Sequence, residues 1–265
     1  MNQVFAIAAT TVGEAIRRRV LLIILMVGLA FLIIAPSLNE LSPRGQQQTL
    51  IDISIGILRI TAAILAVTLT VYLLPNEVER RTIYTILSKP VHRYQFLLGK
   101  YLGSVVALSL MIGLMTLVVI LAFGIQQQTW SLERISPLIK VPFMMIFQMS
   151  LLAAVSMLFS TFVTPVINFF LSGLVWIFGT LINPIFERWG AQGEASDAVT
   201  LVARIAHYAV PNFSNLDIAQ GAATAGATQI RGSEAVHMAN GIVYAVVYVC
   251  ILLVVAVLIF DRKEL

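Results

Sequence analysis

The sequence is poor in charged residues. Asp, Glu, Lys and Arg together make up 11% of the 265 residues, whereas hydrophobic residues make up 59%. A soluble domain carries roughly a quarter charged residues. This deficit indicates that lipid, rather than water, is the main solvent of the chain.

Period-two alternation of polar and apolar residues is also lacking, which disfavours an outer-membrane β-barrel. Long uninterrupted apolar runs are present instead. In lipid such a run satisfies its own backbone groups only as a helix. The sequence therefore predicts an all-α, polytopic bundle of membrane helices that forms a single domain over residues 1–265.

Cysteine and histidine are scarce. The one cysteine, Cys250, cannot form a disulfide within the chain. The three histidines, His92, His207 and His237, have no cysteine or carboxylate at ligand spacing, so we expect no metal site.

The sequence also lacks the motifs of several enzyme classes. It has no Gly-x-x-x-x-Gly-Lys-Ser/Thr loop for a nucleotide, and no stretch resembles a soluble nucleotide-binding domain. His-Glu-x-x-His, Gly-x-Ser-x-Gly and paired intramembrane Asp residues are absent as well. We therefore expect no catalytic residue and no cofactor in this chain.

Six apolar segments have about the length that a helix needs to cross the hydrocarbon core, roughly 20 residues. They span about 20–37, 50–74, 96–124, 138–162, 164–183 and 239–260. Between the fourth and fifth segments the turn is short, and Pro165 suits the first turn of a new helix. Six spans place both termini on the same side of the membrane.

The distribution of basic residues indicates how the chain is oriented in the membrane. One side receives Arg17, Arg18, Arg19, Arg80, Arg81, Lys89, Arg93, Lys100, Arg262 and Lys263. The other side receives Arg44, Arg134, Arg188, Arg204 and Arg231, with Lys140 near the boundary. Since basic residues concentrate on the cytoplasmic side, the imbalance predicts cytoplasmic termini in the inner membrane. Because the charges flank the apolar runs, the net charge of +4 does not indicate a nucleic-acid partner.

Residues 2–19 precede the first span and have an amphipathic pattern. The apolar positions Phe5, Ala8, Ala9, Val12 and Ile16 follow helical spacing. The pattern favours an elbow helix in the membrane interface that ends at the three arginines. The alternative is a frayed extension of the first span.

The loop between spans two and three contains a short helix with a signal at each end. Pro75 closes the second span, and Asn76 with Glu79 resembles a capping box. Pro90 ends the helix near Ser88. The predicted helix therefore covers about twelve residues.

The two faces of this loop helix differ. One face is polar and contains Glu77, Arg80, Arg81, Tyr84 and Ser88, and the other is apolar and contains Ile83, Ile86 and Leu87. Such a helix either floats on lipid head groups or docks a cytoplasmic partner. The residue pattern alone favours neither.

A longer motif runs through the same loop. It comprises Glu77, Glu79, Thr82, Ile83, Leu87, Ser88, Lys89, Pro90, Val91, Arg93, Leu97, Leu98, Gly99, Lys100, Tyr101 and Leu102. This pattern resembles the ABC-2 family of ABC transporter permeases, which have a type V exporter-like architecture. The order of segments along the chain is similar as well.

The resemblance implies a permease subunit of an ABC exporter. Residues 76–89 are then the coupling helix that seats in a separate ATPase subunit, and the residues expected to bind that partner are Glu77, Glu79, Arg80, Arg81, Thr82, Tyr84, Ser88 and Lys89. It further implies an ATPase dimer that holds ATP and Mg²⁺, and a second permease copy, identical or paralogous. A scaffold or sensor subunit and an intramembrane enzyme are the competing functions.

The connection between spans five and six, 184–238, mixes polar and apolar residues. We expect part of it to lie on or dip into the outer leaflet as a short helix. The ABC-2 family is similar in having re-entrant elements before the last span. The stretch 221–232 is rich in small residues and indicates a loop.

Polar residues within the spans are candidates for the transport pathway. Asp52 and Arg59 lie seven residues apart on one face of span two, and they either line the pathway or act as a structural pair or interfacial anchor. Asn168 and Asn183 in span five either bond neighbouring helices or face substrate.

Gly99 and Gly103 begin a stripe of small residues on span three. Such stripes let helix backbones approach closely. We expect helix packing within the chain here, in preference to a dimer contact.

Overall fold

The described part of the chain is helical and contains no β-strand. The computed structural model describes residues 2–35, 46–73, 92–127, 132–192, 211–217 and 234–262. Its helices are α1 (Asn2–Arg17), α2 (Arg19–Ile34), α3 (Gln46–Val71), α4 (Arg93–Gln127), α5 (Leu132–Ser160), α6 (Pro165–Gln192) and α7 (Glu234–Arg262). A 3₁₀ turn covers Ser214–Leu216. The prediction of an all-α fold is confirmed.

Four helices contain segments that are long and apolar enough to cross a membrane. These are Ile51–Val71, Arg93–Ile125, Ser136–Ser160 and Ala235–Arg262. Two further apolar helices, Arg19–Ile34 and Pro165–Leu181, are shorter. The fold is thus a membrane helical bundle, and each predicted span overlaps one of the helices α2 to α7 in order.

Helix α5 occupies the centre of the bundle. It packs against α3, α4, α6 and α7. Four consecutive residues, Leu151, Leu152, Ala153 and Ala154, are fully buried, so every face of α5 is covered at this level. A helix that is apolar all round is buried all round in this way. Pro137 and Pro142 lie inside α5.

The outer helices present apolar side chains outward. On α7 alone, Val243, Val247, Ile251, Val254 and Leu258 are more than half exposed. In water such a surface would be unfavourable, whereas lipid tails are as apolar as the side chains. These faces are therefore suited to contact with acyl chains.

Helix α1 is a separate element that packs against α4 and is broken from α2. Arg18 lies between the two helices in an extended conformation, with φ −74° and ψ 112°. The contact with α4 is the most extensive that α1 makes. The break at Arg18 turns the chain from α1 into α2.

Candidate functional site

A short irregular segment, residues 211–217, is buried among the helices. We call it the inserted segment. Phe213 is fully buried, and Leu216 and Asp217 are almost so. Asn212 shapes its turn, because the Asn212 side-chain oxygen accepts hydrogen bonds from the backbone N–H and the hydroxyl of Ser214, at 3.0 and 2.7 Å. Local side-chain bonds of this kind replace the backbone partners that a helix would supply.

Three helices hold the backbone of the inserted segment. The N–H of Phe213 donates to the carbonyl of Gly179 on α6, at 3.1 Å. Gln148 on α5 donates to the Phe213 carbonyl at 3.2 Å, and the N–H of Asn212 donates to the Tyr244 hydroxyl on α7 at 2.8 Å. These bonds satisfy backbone groups that burial would otherwise leave without partners.

Gly179 permits this close approach on α6. A Cβ atom at this position would lie 2.5 Å from the ring of Phe213 and would also meet the carbonyl oxygen of Pro211. Only the absence of a side chain allows the ring to lie against the helix backbone. On α7, Gly241 faces the carbonyl of Asn215 in a looser contact, 3.2 Å from where a Cβ would stand.

Helix α3 also holds the inserted segment, through an ion pair. Nη2 of Arg59 donates to Oδ1 of Asp217 at 2.6 Å, and Nη1 lies 2.6 Å from Oδ2. The side chain of Asp217 is 1% exposed and that of Arg59 is 15% exposed. One charge-assisted hydrogen bond and a second close contact between the charged groups thus join the guanidinium to the carboxylate.

The candidate pathway residues fall into different environments. Arg59 is paired with Asp217, and Asp52, seven residues earlier on the same helix, has an exposed side chain. Asn168 is fully buried, donates to the Ser156 carbonyl on α5 at 2.9 Å, and accepts from the Ser172 hydroxyl. It therefore bonds neighbouring helices. Asn183 lies within α6, and its side chain is outside the described set.

The glycines of α4 lie against α1. A Cβ on Gly99 would stand 2.8 Å from Ile7, and one on Gly103 would stand 2.7 Å from the carbonyl oxygen of Ala8. Close by, Nζ of Lys100 lies 3.3 Å from Oε2 of Glu14. Lys100 is almost completely buried, whereas Glu14 is exposed. Backbone contact and an ion pair thus dock α1 onto the start of α4.

Arg93, the first residue of α4, contacts the end of α7. Its guanidinium donates to the carbonyls of Phe260 and Asp261, at 3.2 and 3.4 Å. It also lies 6.0 Å from the centre of the Phe260 ring. A cation at a helix C-terminus satisfies carbonyls that lack partners within the helix.

The predicted coupling helix, residues 76–89, lies outside the described residues, and so do the side chains predicted to bind a partner. The structure describes the two helices that flank it. Helix α3 ends at Val71, and α4 begins at Arg93.

Sequence reasoning did not identify Asp217, Gln148 or Tyr244 as site residues. One feature of the sequence does point to the inserted segment. The polar run PNFSNLD at 211–217 lies between two apolar helices and ends in an acidic residue. Within the described ranges, no group of three His, Cys, Asp or Glu side chains could hold a metal ion.

Comparison with known proteins yields one family. No curated protein matches the chain. The profile of the ABC-2 family transporter proteins matches residues 5–265, which is nearly the whole sequence. The chain belongs to the ABC-2 family of transporter proteins.

Proposed function

We propose that this chain is the permease subunit of an ATP-driven ABC exporter, coupled through residues 76–89 to a separate ATPase subunit. Membership of the ABC-2 family makes it a membrane transport component of an ABC transporter. The family match over nearly the whole chain is the observation that carries the proposal. The ATPase coupling and the outward direction go beyond that match.

The proposed topology has six spans with both termini in the cytoplasm. Helix α2 has 16 residues, which gives a length of about 24 Å at 1.5 Å per residue. This is shorter than a hydrocarbon core of about 30 Å, but a short span is accommodated by local thinning and by anchors at its ends. Arg19 supplies an anchor at the start of α2. Helix α6 has 28 residues, so its full length is sufficient.

The proposed coupling follows from the position of the loop. ATP binding closes the nucleotide domains of an ABC ATPase, and that movement must reach the spans. Residues 76–89 lie along the chain between the end of α3 at Val71 and the start of α4 at Arg93, so a displacement of the loop acts on both helices. The contact of Arg93 with the end of α7 extends the effect to a third helix.

The proposed assembly contains two permease copies and two ATPase subunits in the inner membrane. A transport pathway between two copies needs exposed apolar faces that pack together, and the outward faces of α2, α6 and α7 have this character. ATP and Mg²⁺ then bind only to the ATPase subunits.

Co-purification tests the proposal. The chain is expressed with the proteins encoded beside its gene and is purified from the membrane by an affinity tag. We expect an ATPase subunit to co-purify at equal stoichiometry. We expect Arg81→Glu or Glu77→Lys to release it, because each reverses a charge on the polar face of the coupling helix.

The matched control is Arg262→Glu, which makes the same charge reversal at the exposed end of α7. It should leave the ATPase bound. If no nucleotide-binding protein associates with the wild-type chain, the scaffold or sensor alternative replaces the exporter. If the ATPase binds but both loop variants retain it, residues 76–89 are not the docking element.

A further inference from the structure

The inserted segment is attached to its four helices in two different ways. The hydrogen bonds that α5, α6 and α7 make with it go to its own backbone, at Phe213 and Asn212. Such bonds do not depend on which side chains the segment carries. The bond to α3 does depend on a side chain of the segment, because it is the ion pair of Asp217 with Arg59.

The ion pair is poorly suited to a purely stabilising role. Burying two charges has a large desolvation cost, and apolar residues of similar volume are often as stable. In addition, Nε of Arg59 is buried and has no acceptor among the described residues. A charged pair retained at such a cost suits an element with two arrangements, one paired and one separated.

The partner helix α3 is the one that leads directly into the proposed coupling loop. Arg59 precedes Val71, the last residue of α3, by twelve positions, which corresponds to about 18 Å along the helix axis. A rigid movement of α3 therefore carries Arg59 with it. The backbone contacts of the inserted segment, by contrast, attach it to α5, α6 and α7.

We propose that Arg59 and Asp217 are positioning residues for transport: their ion pair holds the inserted segment against α3, and displacement of α3 separates the pair and releases the segment. This inference rests on the proposed function for its source of movement. It assigns to the pair the task of transmitting movement of the coupling loop to the inserted segment, since Arg59 lies about 18 Å along α3 from its end at Val71.

Accessibility of a single thiol tests the inference. Cys250→Ser removes the one native cysteine, and Leu216→Cys places a thiol in the inserted segment at a position that is 2% exposed. The assembled complex is placed in nanodiscs, so that both membrane faces are open to a charged maleimide. The measured quantity is the labelling rate without nucleotide and with ATP, Mg²⁺ and vanadate.

Without nucleotide we expect slow labelling in the parent. Asp217→Asn and Arg59→Gln should each raise the rate about tenfold or more, because each leaves one buried charged group without its partner. The charge-swapped variant, Arg59→Asp with Asp217→Arg, should restore protection. Asp261→Asn is the matched control, since it makes the same substitution at an exposed side chain and keeps the backbone carbonyl that Arg93 contacts, and it should not alter the rate.

A second reporter separates local release from general loosening. Ala154→Cys lies in the fully buried part of α5 and should stay unreactive in every variant. The inference is overturned if both single substitutions leave the position 216 thiol protected, or if the Ala154→Cys thiol becomes reactive to the same degree.

Labelling in the presence of nucleotide tests whether displacement of α3 releases the inserted segment. We expect ATP with vanadate to raise labelling at position 216 in the parent, and unchanged labelling in a complex that retains its ATPase would overturn this step. If no ATPase associates with the chain, the proposed function fails, whereas the nucleotide-free comparison still tests the ion pair.

Discussion

At the scale of single residues, two glycines of α4 have different surroundings. Gly103 faces the backbone of α1, where a Cβ would lie 2.7 Å from the Ala8 carbonyl oxygen and 2.6 Å from Cβ of Thr11. Gly113, ten residues further along the same helix, has nothing within 4 Å of that position. Gly103 is thus in close contact with another helix, whereas Gly113 faces open space.

Gly103→Ala should destabilise the protein. The obstructing atoms are the backbone of Ala8 and the Cβ of Thr11, which cannot move unless α1 moves. The two helices must therefore move apart, and we expect a loss of about 1–3 kcal/mol in the free energy of unfolding, as for other overpacked sites. Gly113→Ala is the matched control and should be neutral or stabilising by up to about 1 kcal/mol, since Ala favours the helix. Denaturant unfolding of the purified chain measures both, and an equal loss in the two variants would contradict a direct contact at Gly103.

Sequence reasoning identified the unusual residues but not their partners. Arg59 is conspicuous because a charge within an apolar segment has a high cost. Its partner Asp217, however, lies 158 positions away, beyond helices α4, α5 and α6. Helical periodicity relates residues within one element and gives no relation between α3 and an inserted turn. Asn168 was likewise recognised as polar, but its bond to the Ser156 carbonyl depends on how α5 and α6 pack.

At the scale of elements, α1 has three faces instead of two. Its contact with α4 contains Ala8, Thr11 and Ala15, all buried. Phe5 and Ile16 lie on a second, apolar face that is more than half exposed. Thr10 and Glu14 lie on a third, polar face. A helix that touches protein, acyl chains and water at once fits the membrane interface.

Spin labels should report these faces. In a Cys250→Ser background, a label at Phe5→Cys should be accessible to oxygen, which concentrates in lipid, and a label at Thr10→Cys should be accessible to a water-soluble nickel chelate. The two sites are five residues apart, which places them about 140° apart around a helix. If both labels were equally accessible to oxygen, α1 would be a membrane-embedded extension of α2. Equal access to the chelate would place α1 in water.

Helix boundaries were the less predictable property of the elements. The fourth predicted span begins at 138, whereas α5 begins at Leu132 and includes Pro137 and Pro142. Proline usually ends helices in water, but in a bundle neighbouring groups satisfy the backbone that it frees. Similarly, α4 continues to Gln127 and α6 to Gln192. Hydropathy detects the apolar middle of a helix and cannot detect polar turns at its ends.

At the scale of the whole molecule, composition predicts a membrane bundle but not which helix lies at its centre. In water, the buried face of a helix is more apolar than its exposed face. In lipid, the exposed face of a helix is also apolar. The exposed face of α7, with Val243 and Ile251, is as apolar as the buried core of α5. The central position of α5 therefore follows from packing and could not be read from the pattern of residues.

The number of spans depends on α2 and α6, whose apolar segments are short, and reporter fusions test it. Alkaline phosphatase is active only outside the cytoplasm, whereas green fluorescent protein fluoresces efficiently inside it. With six spans, phosphatase inserted in 36–45 or 218–233 should be active, and phosphatase inserted in 161–164 or after Leu265 should be inactive. Green fluorescent protein should give the opposite pattern at each site.

Helix α6 lies between two of these insertion sites, and α2 lies between the N-terminus and one insertion site. A helix that crosses the membrane must place its two flanks on opposite sides, and one that lies in the interface places them on the same side. For α6, insertions at 161–164 and 218–233 should therefore differ in activity. For α2, an N-terminal fusion and an insertion at 36–45 should differ likewise. If either pair gave the same reading, that helix would not span the bilayer, and the two termini would lie on opposite faces.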